Sequence, residues 1–510
     1  MIHSYLVAEN LRSARWFQPE FCLTFGSLAL LLLDVWWRRS AERARLMMLA
    51  TLAVLGITAV LLAAQPVYPQ ALFNGLIVHD GFATFFKWLF LAGAALTVLM
   101  AAPSGAFPPS RVGQFYALLV AIVLGLFLMS SSSDLLMIFM SIELVSMVSY
   151  VLAGFARGNR KASEAALKYV IFGGVASGVM VFGMSYLYGL LHTTNVLDFA
   201  RAIALLPPTW PVKLALVLSV VFFSAGVGYK IASVPWHMWC PDVYEGAPTP
   251  FTAFLSVGPK AAGFALVARL LYGALSTRPD LAGFADALHG VPWPAVVGVL
   301  SAVTMTLGNL TALPQTNLKR LLAYSSIAHA GYALMGVAAN STIGTQAVMV
   351  YMLAYLVMNL GAFLAVIVVE RLTGSPSIFE FRGLGRRAPL AALSFGVFLF
   401  ALTGLPPSIG FTGKYYLFLA VMERANGPGG FWYAALALVA ALNTAVSLYY
   451  YARVLRAMFL EAPFSETEVT YPVSYKLLLS GFAAATILFG VWLNPVIDWT
   501  RASLVLFRGG

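Results

Sequence analysis

Six ionisable side chains lie within or beside long apolar stretches of the sequence, where a charge is costly. They are Glu143, Lys168, Lys230, Lys260, His329 and Lys414. A charge at the centre of a membrane helix costs about 2.5–3.5 kcal/mol on insertion scales. Glu143 is ninth in the apolar run 135–155, and Lys260 lies about ten residues into the run 250–274, so neither reaches an interface easily. We therefore expect both residues to have a function.

The chemistry that this set of residues supports is proton transfer. Burial disfavours the charged form of a lysine and a nearby carboxylate favours it, so a buried lysine can exchange protons near neutral pH. Hydroxyl groups, histidines and water can connect such sites. Electron transfer is not indicated, because the two cysteines, Cys22 and Cys240, are far apart, and the sequence has no nucleotide-binding glycine fingerprint and no convincing pair of axial histidines.

Structural explanations compete with function for some of these residues. Lys168 lies closer to one end of its span and could extend to the interface, and His329 could be a neutral, hydrogen-bonded core histidine. We expect three further charged residues near span ends to extend to the interface in the same way: Lys87, Arg269 and Asp34.

The elements that position these residues are membrane helices. Of 510 residues, 60% are hydrophobic and 10% are charged, and the mean hydropathy is +0.84, whereas soluble domains carry about 25% charged residues. This composition excludes a soluble enzyme, a disordered chain and a disulfide scaffold. Apolar runs able to cross a ~30 Å hydrocarbon core occur at 19–37, 46–64, 82–102, 113–130, 135–155, 166–190, 212–234, 250–274, 292–313, 320–339, 345–370, 390–420, 430–457 and 474–493. We predict an all-α polytopic membrane protein with about fourteen spans, an amphipathic tail at 495–507 and no cleaved signal peptide.

The distribution of basic residues predicts the orientation. The chain has 31 Lys and Arg against 20 Asp and Glu, a net charge of +11 that membrane orientation explains better than nucleic-acid binding. With the N-terminus outside, sixteen basic residues fall in cytoplasmic connections and seven outside, including Arg278 and Arg508. We therefore expect both termini on the outer side.

Local similarities at an offset of 182 residues indicate an internal repeat. The pattern Y-x-L-x-G recurs at 150–154 and 332–336, Tyr169 matches Tyr351, and Gly228 matches Gly410. The offset places spans 5, 6 and 7 on spans 10, 11 and 12, and a shift of five spans reverses direction through the membrane. We predict two inverted five-helix repeats, spans 4–8 and 9–13, an arrangement found in transporters. The chain then divides into spans 1–3 (1–112), the first repeat (113–280), the second repeat (281–460), and span 14 with the C-terminal tail (461–510).

Prolines predict breaks in spans 7 and 12. Pro235 and Pro241 follow Lys230, and Pro406 and Pro407 precede Lys414. Proline removes a backbone donor and clashes with the preceding turn, so we place breaks within 230–241 and 403–412. The prolines of span 7 could instead end a helix at the interface. Breaks beside lysines favour a function for Lys230 and Lys414, because broken helices form transporter sites.

Several segments resemble a known family. Residues 229–266, 317–332 and 402–418 are similar to subunit N, an antiporter-like membrane subunit of bacterial complex I, the proton-pumping NADH:quinone oxidoreductase. Glu143 within 140–152 and Lys168 within 164–174 also fit, and the segment 242–250 is highly specific for this subunit. The resemblance covers nearly the whole chain. Lys414 argues against the related subunit M, and the lack of a long C-terminal lateral helix argues against subunit L.

The resemblance implies a role for individual residues. Glu143 matches the glutamate of helix 5, Lys230 the lysine that pairs with it, Lys260 the central lysine of helix 8, Lys414 the lysine near the outer exit, and Lys168 an accessory lysine. We expect Glu143 and Lys230 to meet directly or through one water.

The resemblance also implies the setting of the chain. It implies a proton path from the cytoplasm, a lateral polar axis and an outward exit in the bacterial inner membrane. Expected partners are other membrane-arm subunits, including subunits M and K, together with lipids, protons and internal water, but no nucleic acid. Flavin mononucleotide, iron–sulfur clusters and quinone are expected on other subunits, and no cofactor in this chain.

Two other classes of function remain open from the sequence. One is a subunit of a multisubunit Na⁺/H⁺ antiporter or membrane-bound hydrogenase, and the other is a purely structural membrane subunit. A sodium site requires several hard oxygen ligands, by analogy with other hard cations. The deep ionisable set is mostly lysine, which repels Na⁺, so the sequence favours proton translocation.

Overall fold

The fold is a bundle of membrane helices in which two long helices are broken. The computed structural model describes residues 2–207, 209–274, 293–427, 430–463 and 470–507. Arg278, Arg508 and the predicted boundary between residues 280 and 281 lie outside the described residues.

The N-terminal part holds eleven α-helices and one short β-hairpin. They are α1 (Ile2–Trp16), α2 (Gln18–Trp36), α3 (Arg43–Ala64), β1 (Gln70–Leu72), β2 (Ile77–His79), α4 (Gly81–Ala101), α5 (Val112–Ser131), α6 (Leu135–Ala153), α7 (Arg160–Leu191), α8 (Phe199–Ala204), α9 (Trp210–Ile231), α10 (Cys240–Gly246) and α11 (Thr249–Ala268). β1 and β2 pair antiparallel, with Ala71 opposite Val78. The sequence did not predict helix α1 or the hairpin.

Among the described residues, the C-terminal part contains helices and connections but no β-strand. It consists of α12 (Trp293–Ala312), α13 (Leu318–Ala338), α14 (Thr342–Thr373), α15 (Leu384–Arg387), α16 (Pro389–Thr403), α17 (Ile409–Ala425), α18 (Gly430–Leu460), α19 (Val473–Val491) and α20 (Asn494–Phe507). Polar side chains cap the helices that carry the site: Asp134 caps α6, Asn317 caps α13 and Ser341 caps α14. Helix α20 is the predicted C-terminal tail.

The predicted spans are confirmed. Among the described residues, thirteen helices are long and apolar enough to cross a membrane. The remaining predicted span, 390–420, is divided between α16 and α17, of 15 and 17 residues. In an apolar stretch of 18 residues from each helix, all residues of the α11 segment and 94% of those of α13 and α14 are buried, against 22% of those of α19. The helix with Lys260 and its two neighbours therefore form the centre of the bundle.

Both predicted helix breaks are present. Helix α9 ends at Ile231, its cap Ala232 has a φ of 56°, and α10 begins only at Cys240. Helix α16 ends at Thr403, and Gly404 follows with a φ of 90° before α17 begins at Ile409. The alternative for span 7, a helix that ends at the interface, does not fit α10, which continues the chain inside the bundle as a mostly buried segment.

Matching local structure recurs at the offset of the predicted repeat. Helices α7 and α14 are both 32 residues long, and their first residues are 182 positions apart. Isolated bridges join Asp134 to Asn195 before α6 and Asn317 to Ser377 before α13. These equivalent bridges support the repeat, while its inverted sense and the four predicted segments stay predictions.

Three charged residues expected at the interface are instead buried in ion pairs. Asp34 accepts two hydrogen bonds from Arg43, at 2.9 and 2.7 Å. Lys87, 3% exposed, contacts Glu20 across 2.6 Å. Arg269 and its partner are described below. The expectation that these residues extend to the interface was wrong, because each finds a counter-charge on a neighbouring helix or connection, which the sequence does not reveal.

Candidate functional site

Lys260 lies at the centre of the bundle and binds the neighbouring helix α13. Its side chain is buried, and Nζ donates to the backbone oxygen of Ser326 at 2.9 Å and to its hydroxyl at 2.5 Å. The Tyr244 ring centroid is 5.9 Å from the same nitrogen. A residue on α11 is thus held by polar groups of the second predicted repeat, and no carboxylate forms an ion pair with it among the described residues.

Lys414 follows the break between α16 and α17 and uses that break for its hydrogen bond. Its Nζ donates to the backbone oxygen of Thr403 at 2.7 Å, which is the last residue of α16. The same nitrogen lies 4.3 Å from the ring centroid of Tyr332, a cation–π contact. The break therefore supplies the carbonyl that binds the lysine.

His329 interacts with two of the buried lysines. Lys260 and Lys414 both act on it electrostatically, and its Nδ1 is 2.5 Å from the hydroxyl of Tyr351. The ring centroids of His329 and Tyr355 are 5.1 Å apart. The hydrogen bond to Tyr351 agrees with the core-histidine interpretation, and the electrostatic interaction with both lysines also suits a proton relay.

Glu143 and Lys230 lie close without forming a direct ion pair. Ser177 donates a short hydrogen bond to Glu143 Oε1. Lys230 is 2% exposed, and its Nζ has no hydrogen-bond partner among the described residues. Of the two predicted arrangements, direct contact is not the one in this structure, and Glu143 and Lys230 do interact electrostatically. The single-water link stays a prediction.

Lys168 belongs to an ion-pair network on one face of the bundle. Its Nζ lies 2.7 Å from Asp242 Oδ2 and 2.7 Å from Glu164 Oε1. Arg320 contacts both Asp242, at 2.6 Å, and Glu245, at 3.1 Å. The accessory lysine is therefore held by partners on α7 and α10 and does not simply extend to the interface.

The electrostatics of this network favour charged carboxylates. Burial raises the pKa of the Asp242 carboxyl, but hydrogen bonds from Lys168 and Arg320 outweigh it, so the pKa lies below its ordinary value. For Glu245, burial is likewise outweighed by hydrogen bonds from Lys161 and Arg320, and its pKa is also lowered. The carboxylates of this network therefore stay charged, and their ion pairs hold α7 and α10 against α13.

A cavity of about 720 Å³ lies beside this network. It is lined by parts of the connections at 104–106, 156–161, 246–248, 317 and 374–376, all placed on the cytoplasmic side from the sequence. Lys319 and Glu370 lie in its wall, and Lys319, 3% exposed, donates to the backbone oxygen of Ala247 at 2.7 Å. The sequence interpretation counted Lys319 as an ordinary loop charge and did not identify Glu370. The available signal was that Glu370 ends a long apolar run.

A second buried charge cluster lies at the far end of α11. The guanidinium of Arg269 donates to Asp80 at 2.8 and 3.1 Å and to the backbone oxygen of Ser130. Asp80 also caps α4 by accepting from the backbone of Ala83 at 2.7 Å. This cluster anchors the end of the helix that carries Lys260 to the N-terminal helices. In the described part of the chain, no group of three or more His, Cys, Asp or Glu residues is placed to hold a metal ion.

The structure brings most of the predicted site residues into one polar row. Lys230, Lys260, His329 and Lys414 are buried within the bundle, and Glu143 lies beside Lys230 at the edge, where its side chain is partly exposed. Lys168 lies apart, in the ion-pair network. Hydroxyl and histidine groups between the lysines suit the transfer of protons across the middle of the protein.

The fold and this row of buried lysines define a membrane protein of the antiporter-like class. Residues 132–442 match the family described as NADH:quinone oxidoreductase/Mrp antiporter, transmembrane. The chain is 62% identical to the NADH-quinone oxidoreductase subunit N of Anaeromyxobacter sp., over 99% of both chains. It belongs to the subunit N family of NADH-quinone oxidoreductase, and is therefore a multi-pass membrane protein of the respiratory complex I type.

More distant proteins have the same fold. The subunit N of Chlorobium chlorochromatii is 41% identical over 98% of this chain and 97% of its own length. A chain of respiratory complex I from Thermus thermophilus with bound aureothin superimposes with a TM-score of 0.75, at 29% identity, over 95% of this chain and 100% of that one. A chain of the Mrp complex from Dietzia sp. matches with a TM-score of 0.76 at 20% identity, over 96% and 98%, which shows a shared fold alone.

Proposed function

We propose that this chain translocates protons in the membrane arm of complex I, while other subunits transfer electrons from NADH to quinone. The observation that carries the proposal is the row of Lys230, Lys260 and Lys414, all 2–4% exposed, in a bundle of membrane helices. Isolated charges at this depth are costly. Their side chains can exchange protons through hydroxyls and water without any metal or redox group.

The residues have separate roles in this proposal. Lys260 is the central proton carrier, and Lys414 passes protons toward the outer side through the break between α16 and α17. Glu143 controls the charge of Lys230, because an ionised carboxylate nearby favours the ammonium form and its withdrawal favours proton release. His329 connects the two central lysines, and Lys168 is an accessory residue.

The proposal includes the setting of the chain. Both termini face the outer side of a bacterial inner membrane, as the basic residues of the connections indicate. Partners are other membrane-arm subunits, including subunits M and K, with lipids and internal water. Flavin mononucleotide, iron–sulfur clusters and quinone belong to other subunits.

The competing function is Na⁺/H⁺ exchange, since the Mrp complex shares the fold. The buried set argues against it, because lysines repel Na⁺ and, among the described residues, no three or more carboxylates are placed to hold a cation together. A complex containing this chain, reconstituted in sodium-free vesicles, should acidify one side during NADH oxidation. A strict requirement for Na⁺ in that assay would contradict the proposal.

A further inference from the structure

Glu370 lies where the cavity meets the central helices. Its side chain is 28% exposed and lines the cavity, while its Oε2 accepts a short hydrogen bond from Thr249 at the start of α11. The charged groups around it are Lys319 of α13, 3.9 Å away, Arg371 of its own helix, Glu245 of α10 and Lys161 of α7, all of which line the cavity. Glu370 thus contacts both the cavity and the helix that carries Lys260.

A row of hydroxyls leads along α11 from this point to Lys260. Thr249, Thr252, Ser256 and Lys260 recur every three or four residues, so they share one face of the helix. None is more than 3% exposed. Lys260 lies eleven positions after Thr249, a rise of about 16 Å at 1.5 Å per residue, roughly half of the hydrocarbon core. The row therefore joins the cavity to the middle of the membrane.

Helix α14 presents a matching polar face. Asn359 precedes Glu370 by eleven residues, or about three turns, and Tyr355 lies one turn further. The amide of Asn359 donates to Ser256 at 2.5 Å. The amide oxygen of Asn359, Oδ1, and the hydroxyl of Tyr355 are buried without a hydrogen-bond partner among the described residues. Buried polar atoms of this kind are usually satisfied by ordered water.

We propose that Glu370 is the carboxylate that takes up protons from the cavity, and that the seam between α11 and α14 conducts them through ordered water to Lys260. This inference rests on the proposed function. The Glu370 carboxylate accepts a proton from cavity water, then passes it to water held by Asn359 and Ser256. The neutral amine of Lys260 accepts it and becomes an ammonium bound to Ser326. No electron transfer or co-reactant is involved.

The test uses the assembled complex in proteoliposomes, with NADH-driven proton movement measured from about pH 6 to about pH 8. Glu370→Gln should translocate more slowly, and the defect should grow toward higher pH. The translocation rate of this variant should fall by at most about tenfold per pH unit, because the delivery of protons to Lys260 then follows the proton concentration. Glu370→Ala should show the same defect and regain translocation when formate is added, since this small acid can occupy the vacated site. Asn359→Leu should slow translocation without rescue by formate.

Glu380→Gln is the matched control, because Glu380 lies in the connection that follows α14 and does not line the cavity. It should behave like the unmodified chain. A pH-independent defect in Glu370→Gln, with no formate rescue of Glu370→Ala, would assign Glu370 a structural role and overturn the inference. Unchanged translocation in Glu370→Gln, beside a defect in Lys260→Met, would overturn it and leave the proposed function standing. Unchanged translocation in Lys260→Met would remove the proposed function itself.

Discussion

The ammonium of Lys260 is bound twice by Ser326, through the backbone oxygen at 2.9 Å and the hydroxyl at 2.5 Å. The 182-residue offset pairs Glu143 with position 325, and Ser326 is the next residue. Where the first predicted repeat has a carboxylate, the second thus has neutral groups beside the central lysine. A neutral partner leaves Lys260 free to lose its proton without stranding a buried anion.

Replacing Lys260 by methionine should leave assembly largely intact and reduce proton movement per NADH. Methionine keeps the bulk of the side chain and removes the titrating group. Lys260→Arg should fail in the same assay, because a guanidinium stays charged at all relevant pH values. Assembly is measured by the yield of purified complex. Full pumping by the arginine variant would show that charge at this position, and not its titration, is what matters.

Glu143→Gln should uncouple proton movement with little loss of stability. Because Glu143 does not contact Lys230 directly, the change should cost less than the about 3–5 kcal/mol typical of breaking a contacting buried pair. Pumping and thermal unfolding of the complex are measured in parallel. We also expect one ordered water between the two side chains in an experimental map. A dry gap, or a third side chain inserted between them, would contradict the predicted link.

Glu20→Gln should be much more destabilising than Glu143→Gln. Lys87 contacts Glu20 across 2.6 Å, so the variant leaves a buried ammonium without its counter-charge, at a cost of about 3–5 kcal/mol. The double variant Glu20→Gln/Lys87→Met should regain most of this loss. Thermal unfolding of the complex gives both values. Equal stability of the single and double variants would show that the unpaired Lys87 ammonium carries no penalty, against this prediction.

The network around Asp242 should stabilise the protein at neutral pH and weaken in acid. The pKa of Asp242 is lowered in the folded state. The stabilisation is therefore complete above the pKa of the unfolded chain, about 3.9, and is lost as the pH falls through the lower pKa of the folded state. Asp242→Asn should therefore lower the unfolding temperature at pH 7 and flatten its decrease below about pH 4. The exposed residue Asp198 supplies the control, and Asp198→Asn should follow the unmodified chain at every pH.

Gly404→Ala should impair both stability and proton movement. Gly404 has a φ of 90°, and an added Cβ would lie 2.7 Å from Lys414 Cδ. The left-handed backbone alone costs about 1–2 kcal/mol for a residue with a side chain, and the clash displaces Lys414 from its carbonyl partner. Gly178→Ala is the control, since its added Cβ would meet no atom within 4 Å beyond the local backbone of its own helix. Equal pumping by both variants would show that this contact is dispensable.

The sequence by itself determined the membrane class, the spans, both broken helices and most of the lysine row. These features are local: a span needs an apolar run of sufficient length, prolines within a run indicate a break, and a charge within such a run is conspicuous because its burial is costly. The position of Lys414 beside a break could be predicted for the same reason.

Only the tertiary structure decided which charges pair. From the sequence, Lys87, Arg269 and Asp34 resemble interfacial residues, yet their partners lie on other helices or connections up to 189 positions away. The same holds for Glu370, which becomes a candidate only when α14 lies against α11 beside the cavity. Helix packing places side chains together with no trace in local composition. The sequence therefore shows where charges are costly, and the packing of the helices determines how each is compensated.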